Sequence, residues 1–310
     1  MFRNLLVPLD GSTLAESALP AAAFLGEAVR ARITLLHIME QNAPATIHGQ
    51  PHLTDPDQAE VYLEGLAARL ASPTRPVARH VHRAEEGDVA GAIVRHAEEL
   101  GADLSILCTH GWGGLREWLF GSIAQQVLQR GATPILLVQP TATGGAPPFA
   151  CRGVLVPLEG PEAQEPALPV ALGLARACHA TLHLVMVVPT PGTLSGAQAP
   201  AGVFLPMTTA ALLDLEEGEA REYLRQVGDR LRAEGLTVTG EVWRGDPVTS
   251  LAGAAERAGA DLVVLATPGR RGLEAYWSAS VAPRLLGCIG RPVLLVRVGD
   301  EGDKGPPDLG

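Results

Sequence analysis

The feature that most narrows what this chain can fold into is an internal repeat. Asn4-Leu-Leu-Val-Pro-Leu-Asp10-Gly11 returns 149 residues later as Gly153-Val-Leu-Val-Pro-Leu-Glu159-Gly160. Three further landmarks recur in the same order, each 158 residues apart: Gly87-Asp88 with Gly245-Asp246, Gly101-Ala-Asp-Leu104 with Gly259-Ala-Asp-Leu262, and Thr133-Pro-Ile-Leu-Leu-Val138 with Arg291-Pro-Val-Leu-Leu-Val296. Two copies of one fold are therefore expected, and 310 residues suffice for two cores of ordinary size. The longer spacing of the later landmarks places extra residues in the middle of the second copy. The stretch 189–209, rich in Gly, Pro, Ala and Thr, is the natural place and reads as a loop.

Each copy alternates short β-branched or leucine-rich runs with longer runs of helical periodicity. That is the pattern of a parallel sheet covered by helices on both faces, an α/β fold. In the first copy strands are expected near 4–9, 33–38, 77–83, 103–107 and 134–138, with helices over 15–29, 57–70, 89–100 and 122–129. The Pro/Gly-rich run from Pro140 to Pro148 reads as a linker. The expected division is a first domain over 1–140, a linker over 141–150, a second domain over 151–298 and a loose acidic tail over 299–310.

Composition excludes some functions. A net charge of −10 argues against a nonspecific nucleic-acid binder, which needs surplus Lys and Arg to neutralise phosphates. Although 46% of residues are hydrophobic, no run reaches the roughly 20 apolar residues that cross a bilayer. The opening Met1-Phe2-Arg3-Asn4 leads straight into a strand with no room for a secretory signal, so a cytoplasmic location is expected. Cys108, Cys151, Cys178 and Cys288 form no Cys-x-x-Cys pair, so neither a disulfide framework nor a zinc ribbon is expected.

In an open parallel sheet, ligands bind at the carboxyl ends of the strands. Two such ends stand out. Pro8-Leu9-Asp10-Gly11-Ser12 follows the first strand, and Cys108-Thr-His110-Gly111-Trp112-Gly113-Gly114 follows the fourth, with Gly121-Ser122 opening the next helix. Glycines there let backbone amides approach an anion, and a helix start favours negative charge.

On these residues the chain resembles the universal stress protein family. Its nucleotide-binding branch carries Gly-x-x-Gly, nine residues, then Gly-Ser or Gly-Thr; here the segment reads Cys108-x-x-Gly111, nine residues, Gly121-Ser122. The resemblance spans both copies. It implies five-stranded parallel sheets of order 3-2-1-4-5, as in adenine nucleotide alpha hydrolases, pairing through their last strands, which a tandem chain can do internally. It further implies that Pro8 and Asp10 line the adenosine end of an ATP site. Ile38, after the second strand, would offer its backbone to adenine, and Gly111, Gly121, Ser122 and the Ile123 amide would hold ribose and phosphates. Cys108 puts a side chain where the family has none, and His110 stands beside the cradle as a ligand contact or a loop-packing residue. Magnesium would accompany the phosphates, though no carboxylate cluster announces it.

The second copy departs further. Glu159 replaces the aspartate, Pro161 the serine, and the cradle reads Ala266-x-x-Gly269, nine residues, Ala279-Ser280. The extra methylene of Glu159 would intrude on a base pocket, so this copy is expected to be a structural partner.

Other readings compete. Asp10 could instead cap the following helix, although Ser12 is the better cap by position. Trp112 and Trp118 could form a lid or pack against the neighbouring domain, and Cys108 could be a redox-sensitive thiol or a buried small residue. His48-x-x-x-His52 and His80-x-His82 have spacings that could ligate a metal, but they lie in different elements and read as exposed polar residues rather than a metal site. There is no Gly-x-x-x-x-Gly-Lys-[Ser/Thr] and no evident general base with an electrophilic clamp, so at most slow ATP hydrolysis is expected. The rival function is a nucleotide-free scaffold for other stress-response proteins, with a homodimer or another protein partner left open. An adenylating or amidating enzyme is disfavoured, because Asp10-Gly11-Ser12-Thr13 stands where the Ser-Gly-Gly-x-Asp-Ser pyrophosphate loop of those enzymes would be.

Overall fold

A computed structural model of the chain describes residues 1–47, 49–109, 122–141, 145–160, 165–194, 199–267 and 281–297. Among these, the strands of the first half are β1 (Asn4–Pro8), β2 (Arg32–Glu40), β3 (Thr46–Ile47), β4 (Gln50–Pro51), β5 (Val77–Glu86), β6 (Leu104–Cys108) and β7 (Ile135–Val138). Its helices are α1 (Leu19–Ala28), α2 (Pro56–Leu70), α3 (Val89–Glu99) and α4 (Ser122–Arg130). The second half holds β8 (Gly153–Pro157), β9 (Thr181–Val188), β10 (Val238–Arg244), β11 (Leu262–Thr267) and β12 (Val293–Arg297). Its helices are α5 (Ala167–Cys178), α6 (Ala199–Phe204), α7 (Pro206–Ala233), α8 (Pro247–Ala258) and α9 (Val281–Leu286).

Ten strands form one sheet in the order β10-β9-β8-β11-β12-β7-β6-β1-β2-β5. Within each half this is the expected 3-2-1-4-5. The two sheets join through their last strands, the internal pairing open to a tandem chain. The last strands of the halves pair antiparallel, Ile135 with Leu295, Leu136 with Leu294 and Leu137 with Val293, while every other neighbour is parallel. An open sheet leaves an unpaired edge of backbone N–H and C=O groups; here each half covers the other's.

The cores are shared as well. On one face α1, α2, α5 and α7 pack on alternate strand residues such as Leu136, Val138, Leu294 and Val296. On the other, α3, α4, α8 and α9 pack on Ile135, Leu137, Val293 and Leu295. Strands buried on both faces explain why the sequence shows continuous apolar runs instead of polar alternation.

The repeated landmarks have local physical causes. Asp88 caps α3 by accepting from the Gly91 amide at 3.1 Å, and Asp246 caps α8 by accepting from Val248 and Thr249, each at 3.1 Å. Asp103 accepts from the amides of Arg3 (2.7 Å) and Asn4 (3.0 Å), tying β6 to the start of β1. Asp261 does the same for β8 through Arg152 (2.8 Å) and Gly153 (3.2 Å).

Two local expectations fail. The stretch 189–209 holds α6 and the start of α7, because Pro200 and Pro206 lie in first turns, where a missing N–H costs nothing. The region expected to be one helix over 15–29 opens as a 3-10 turn, Ala15–Ala18, before α1. The described part of the linker has neither helix nor strand, and its Phe149 packs edge-on against Phe24 of α1 at 5.4 Å.

Candidate functional site

The crossovers set the place. After β1 the chain leaves toward α1 on one face, and after β6 it reaches α4 on the other, so a cleft opens where β1 and β6 diverge. A cavity of about 360 Å³ occupies it, within the size range of small-ligand sites, about 300–1,000 Å³. Its walls bring together five of the expected residues, Pro8, Asp10, Ile38, Cys108 and Ile123. Ser122 begins α4, next to Ile123. His110, Gly111 and Gly121 lie outside the described residues, as do Trp112 and Trp118.

Ile38 needs a correction. It lies inside β2, which runs on to Glu40, and not after the strand. The ladder with β5 shifts register between Ile38 and Glu40, so the backbone there is irregular at the cavity wall.

Asp10 and Ser12 divide the roles that sequence left open. Asp10 Oδ1 accepts from the Ser12 amide at 2.9 Å and from its hydroxyl at 2.6 Å, while Ser12 Oγ accepts from Ala15 N at 3.2 Å. Ser12 is thus the residue that caps the turn, and Asp10 orients it while bordering the cavity. Between them Gly11 sits at φ +91°, and a Cβ there would stand 2.7 Å from the Leu53 side chain. Gly160 repeats the left-handed conformation at φ +123°.

Sequence reasoning missed His37. It is buried in β2 with Nδ1 2.8 Å from the Leu9 carbonyl and Nε2 3.3 Å from that of Leu53. Burial holds its pKa below the ordinary imidazole value, against the pull of those two carbonyls. The ring ties the loop after β1 to the segment before α2. Its place in an apolar strand was the only available signal.

Cys108 Sγ lies 3.0 Å from Ser17 Oγ and donates to the Thr109 carbonyl at 3.0 Å. Burial pushes the thiol up to about 11, so it is protonated at neutral pH and is a poor nucleophile. Of its two readings, the structure favours the inert one, a half-buried, protonated thiol at the cavity wall.

The histidines depart from their expected exposure. His48 lies outside the described residues, but His52 is buried, with Nδ1 3.2 Å from the Pro44 carbonyl, and it lines the cavity. His80 and His82 are half-buried and meet His96 of α3.

The second half keeps a cavity at the equivalent strand ends, about 600 Å³, so Glu159 does not fill it. Its character differs. Pro161 has no N–H or hydroxyl with which to imitate Ser12. The half-buried Glu165 carboxylate instead accepts from the amides of Glu159 (3.1 Å) and Gly160 (3.3 Å). With Glu159 it sets two carboxylates in the wall, and burial raises the Glu165 pKa.

The family model described as the universal stress protein family matches residues 1–139 and again 151–297. Among curated proteins, universal stress protein YxiE of Bacillus subtilis is 31% identical over 149 residues, 45% of this chain and 100% of that protein. Universal stress protein Sll1654 of Synechocystis is 29% identical over 138 residues, 44% of this chain and 86% of that protein. Among solved structures, a universal stress protein from Archaeoglobus fulgidus superposes with TM-score 0.67 at 15% identity, covering 96% of this chain and 97% of that one. The Pseudomonas aeruginosa protein PA1789 gives 0.66 at 17%, covering 96% and 92%.

Proposed function

Because the chain belongs to the universal stress protein family, with two copies in tandem, we propose that its first half binds ATP or a related adenine nucleotide as a regulatory ligand. The observation that carries this reading is the cavity between the ends of β1, β2 and β6. Leu36, Ile38, Ile93 and Leu107 supply apolar walls for a base, Asp10 a carboxylate for ribose hydroxyls, and Ile123 brings the first turn of α4 to the wall. Among the described residues lining it, none is Lys or Arg. The phosphates would be held by backbone amides, the role assigned to Gly111, Gly121, Ser122 and Ile123, with His110 beside them. Magnesium would arrive with the phosphates. Among the described residues, no cluster of three or more His, Cys or acidic groups lies at this cavity.

The second half serves as a structural partner. There the Glu165 carboxylate already takes the Glu159 and Gly160 amides, and Ala279 stands where the first half has Gly121, while β12 covers the edge of β7. In a thermal-shift titration, ATP should raise the melting temperature of the wild type and leave Gly121→Val unmoved. An equal shift in the variant would place the nucleotide elsewhere.

A further inference from the structure

Three imidazoles converge away from the nucleotide cavity. His80 and His82 are two residues apart on the edge strand β5 and so share a face. The helix packed there, α3, places His96 against both, with ring centroids 4.7 Å from His80 and 4.9 Å from His82. One ligand atom from each residue lies within 4.8 Å of the others, and His82 Nδ1 is 3.0 Å from His96 Nε2.

The opposite ring nitrogens face carboxylates. His82 Nε2 is 3.2 Å from Glu86 Oε1, and His96 Nδ1 is 3.0 Å from Glu99 Oε2. Both nitrogens are buried and make no hydrogen bond in their present orientation, so small ring rotations toward these carboxylates have something to gain. Glu86 is shared with Arg95 at 2.8 Å.

We propose that His80, His82 and His96 form a site for a divalent transition-metal ion of the zinc class, with Glu86 and Glu99 orienting two of the imidazoles. Tetrahedral zinc with bonds of about 2.0–2.1 Å sets its nitrogen ligands about 3.3 Å apart, close to the His82–His96 separation. His80, half-buried at the sheet edge, closes onto the ion by a modest side-chain rotation. Carboxylates behind ligating imidazoles are the arrangement that fixes ring orientation at such metals. Imidazole ligands select zinc, copper, nickel or iron over magnesium and calcium. Three protein ligands leave a fourth position for water. The site lies one strand out from the nucleotide cavity, since Ile38 pairs with His82 and α3 contributes Ile93 to one and His96 to the other. It does not depend on nucleotide binding.

The test is calorimetric titration of Zn²⁺ into the chelator-stripped full chain, with the visible spectrum of the Co²⁺ form as a second readout. One equivalent should bind with micromolar or tighter Kd, and Co²⁺ should give the intense bands of a four-coordinate site. His80→Ala and His82→Ala should each weaken binding at least about tenfold, and Glu99→Gln about 10–100-fold, while His183→Gln should not. Both principal variants alter half-buried side chains, and circular dichroism would verify their folding. Absence of binding, or binding unchanged in folded His80→Ala and His82→Ala, would overturn the proposal.

Discussion

At the scale of single residues, the glycines that follow Asp10 and Glu159 record a backbone requirement of the turns after β1 and β8. Gly11 is left-handed and pressed on Leu53, so Gly11→Ala should cost about 1–3 kcal/mol in urea unfolding. A loss under half a kcal/mol would mean that the turn relaxes freely. Cys108 makes a second prediction. With its thiol pushed up to about 11 and held near Ser17, it should alkylate far more slowly than the exposed Cys288 at pH 8, and denaturant should erase the difference. Mass-spectrometric mapping of the labelled thiols would reveal the order, and early labelling of Cys108 would contradict its raised pKa. Asp10, Pro8 and Cys108 were legible as wall residues because their strand ends carry unusual residues in an otherwise apolar pattern. His37 was not, because a histidine within an apolar strand has no distinguishing neighbour until the fold brings the Leu9 and Leu53 carbonyls to it.

At the scale of elements, His37 couples β2 to pH. The unfolded chain takes up a proton near pH 6.5, while the buried ring resists it, so its contribution to stability is present above that pH and is lost as pH falls through the window below. Urea midpoints should decline from about pH 6.5 to pH 5, this group contributing at most about 1.4 kcal/mol per pH unit. His37→Gln should shrink the decline; an unchanged slope would assign it to other groups. The strands and most helices were legible because long apolar runs and Asp caps are local signals. The stretch 189–209 was misread because Pro and Gly punctuate loops in general, whereas Pro200 and Pro206 sit in first helical turns, where their defect is harmless. The histidine cluster was half legible. His80 and His82 share a strand face by spacing, but His96 joins them only because α3 packs on β2, the neighbour of β5.

At the scale of the molecule, the repeat implied two copies and the family resemblance the strand order, and the continuous sheet follows from closing two exposed edges on each other. Both cores run through the β7–β12 seam, and the Gln139 side chain donates to the Leu286 carbonyl across it at 2.8 Å. The halves should therefore unfold together, in one calorimetric transition. Leu295→Glu, which buries a charge opposite Ile135, should split or abolish it. Two separate transitions in the wild type would contradict a shared core. The unequal halves are the central claim, and it was legible only in part. Substitutions at Glu159 and Pro161 suggested a blocked pocket, whereas the structure leaves the space open and lines it with carboxylate. The most direct measurement is an isothermal titration of the full chain with ATP and magnesium, accompanied by mass spectrometry of ligand released from freshly purified protein. One nucleotide per chain is predicted, lost in Gly121→Val and retained in Glu159→Gln. Two per chain would contradict the inequality of the halves, and none, with no nucleotide released, would contradict the site itself.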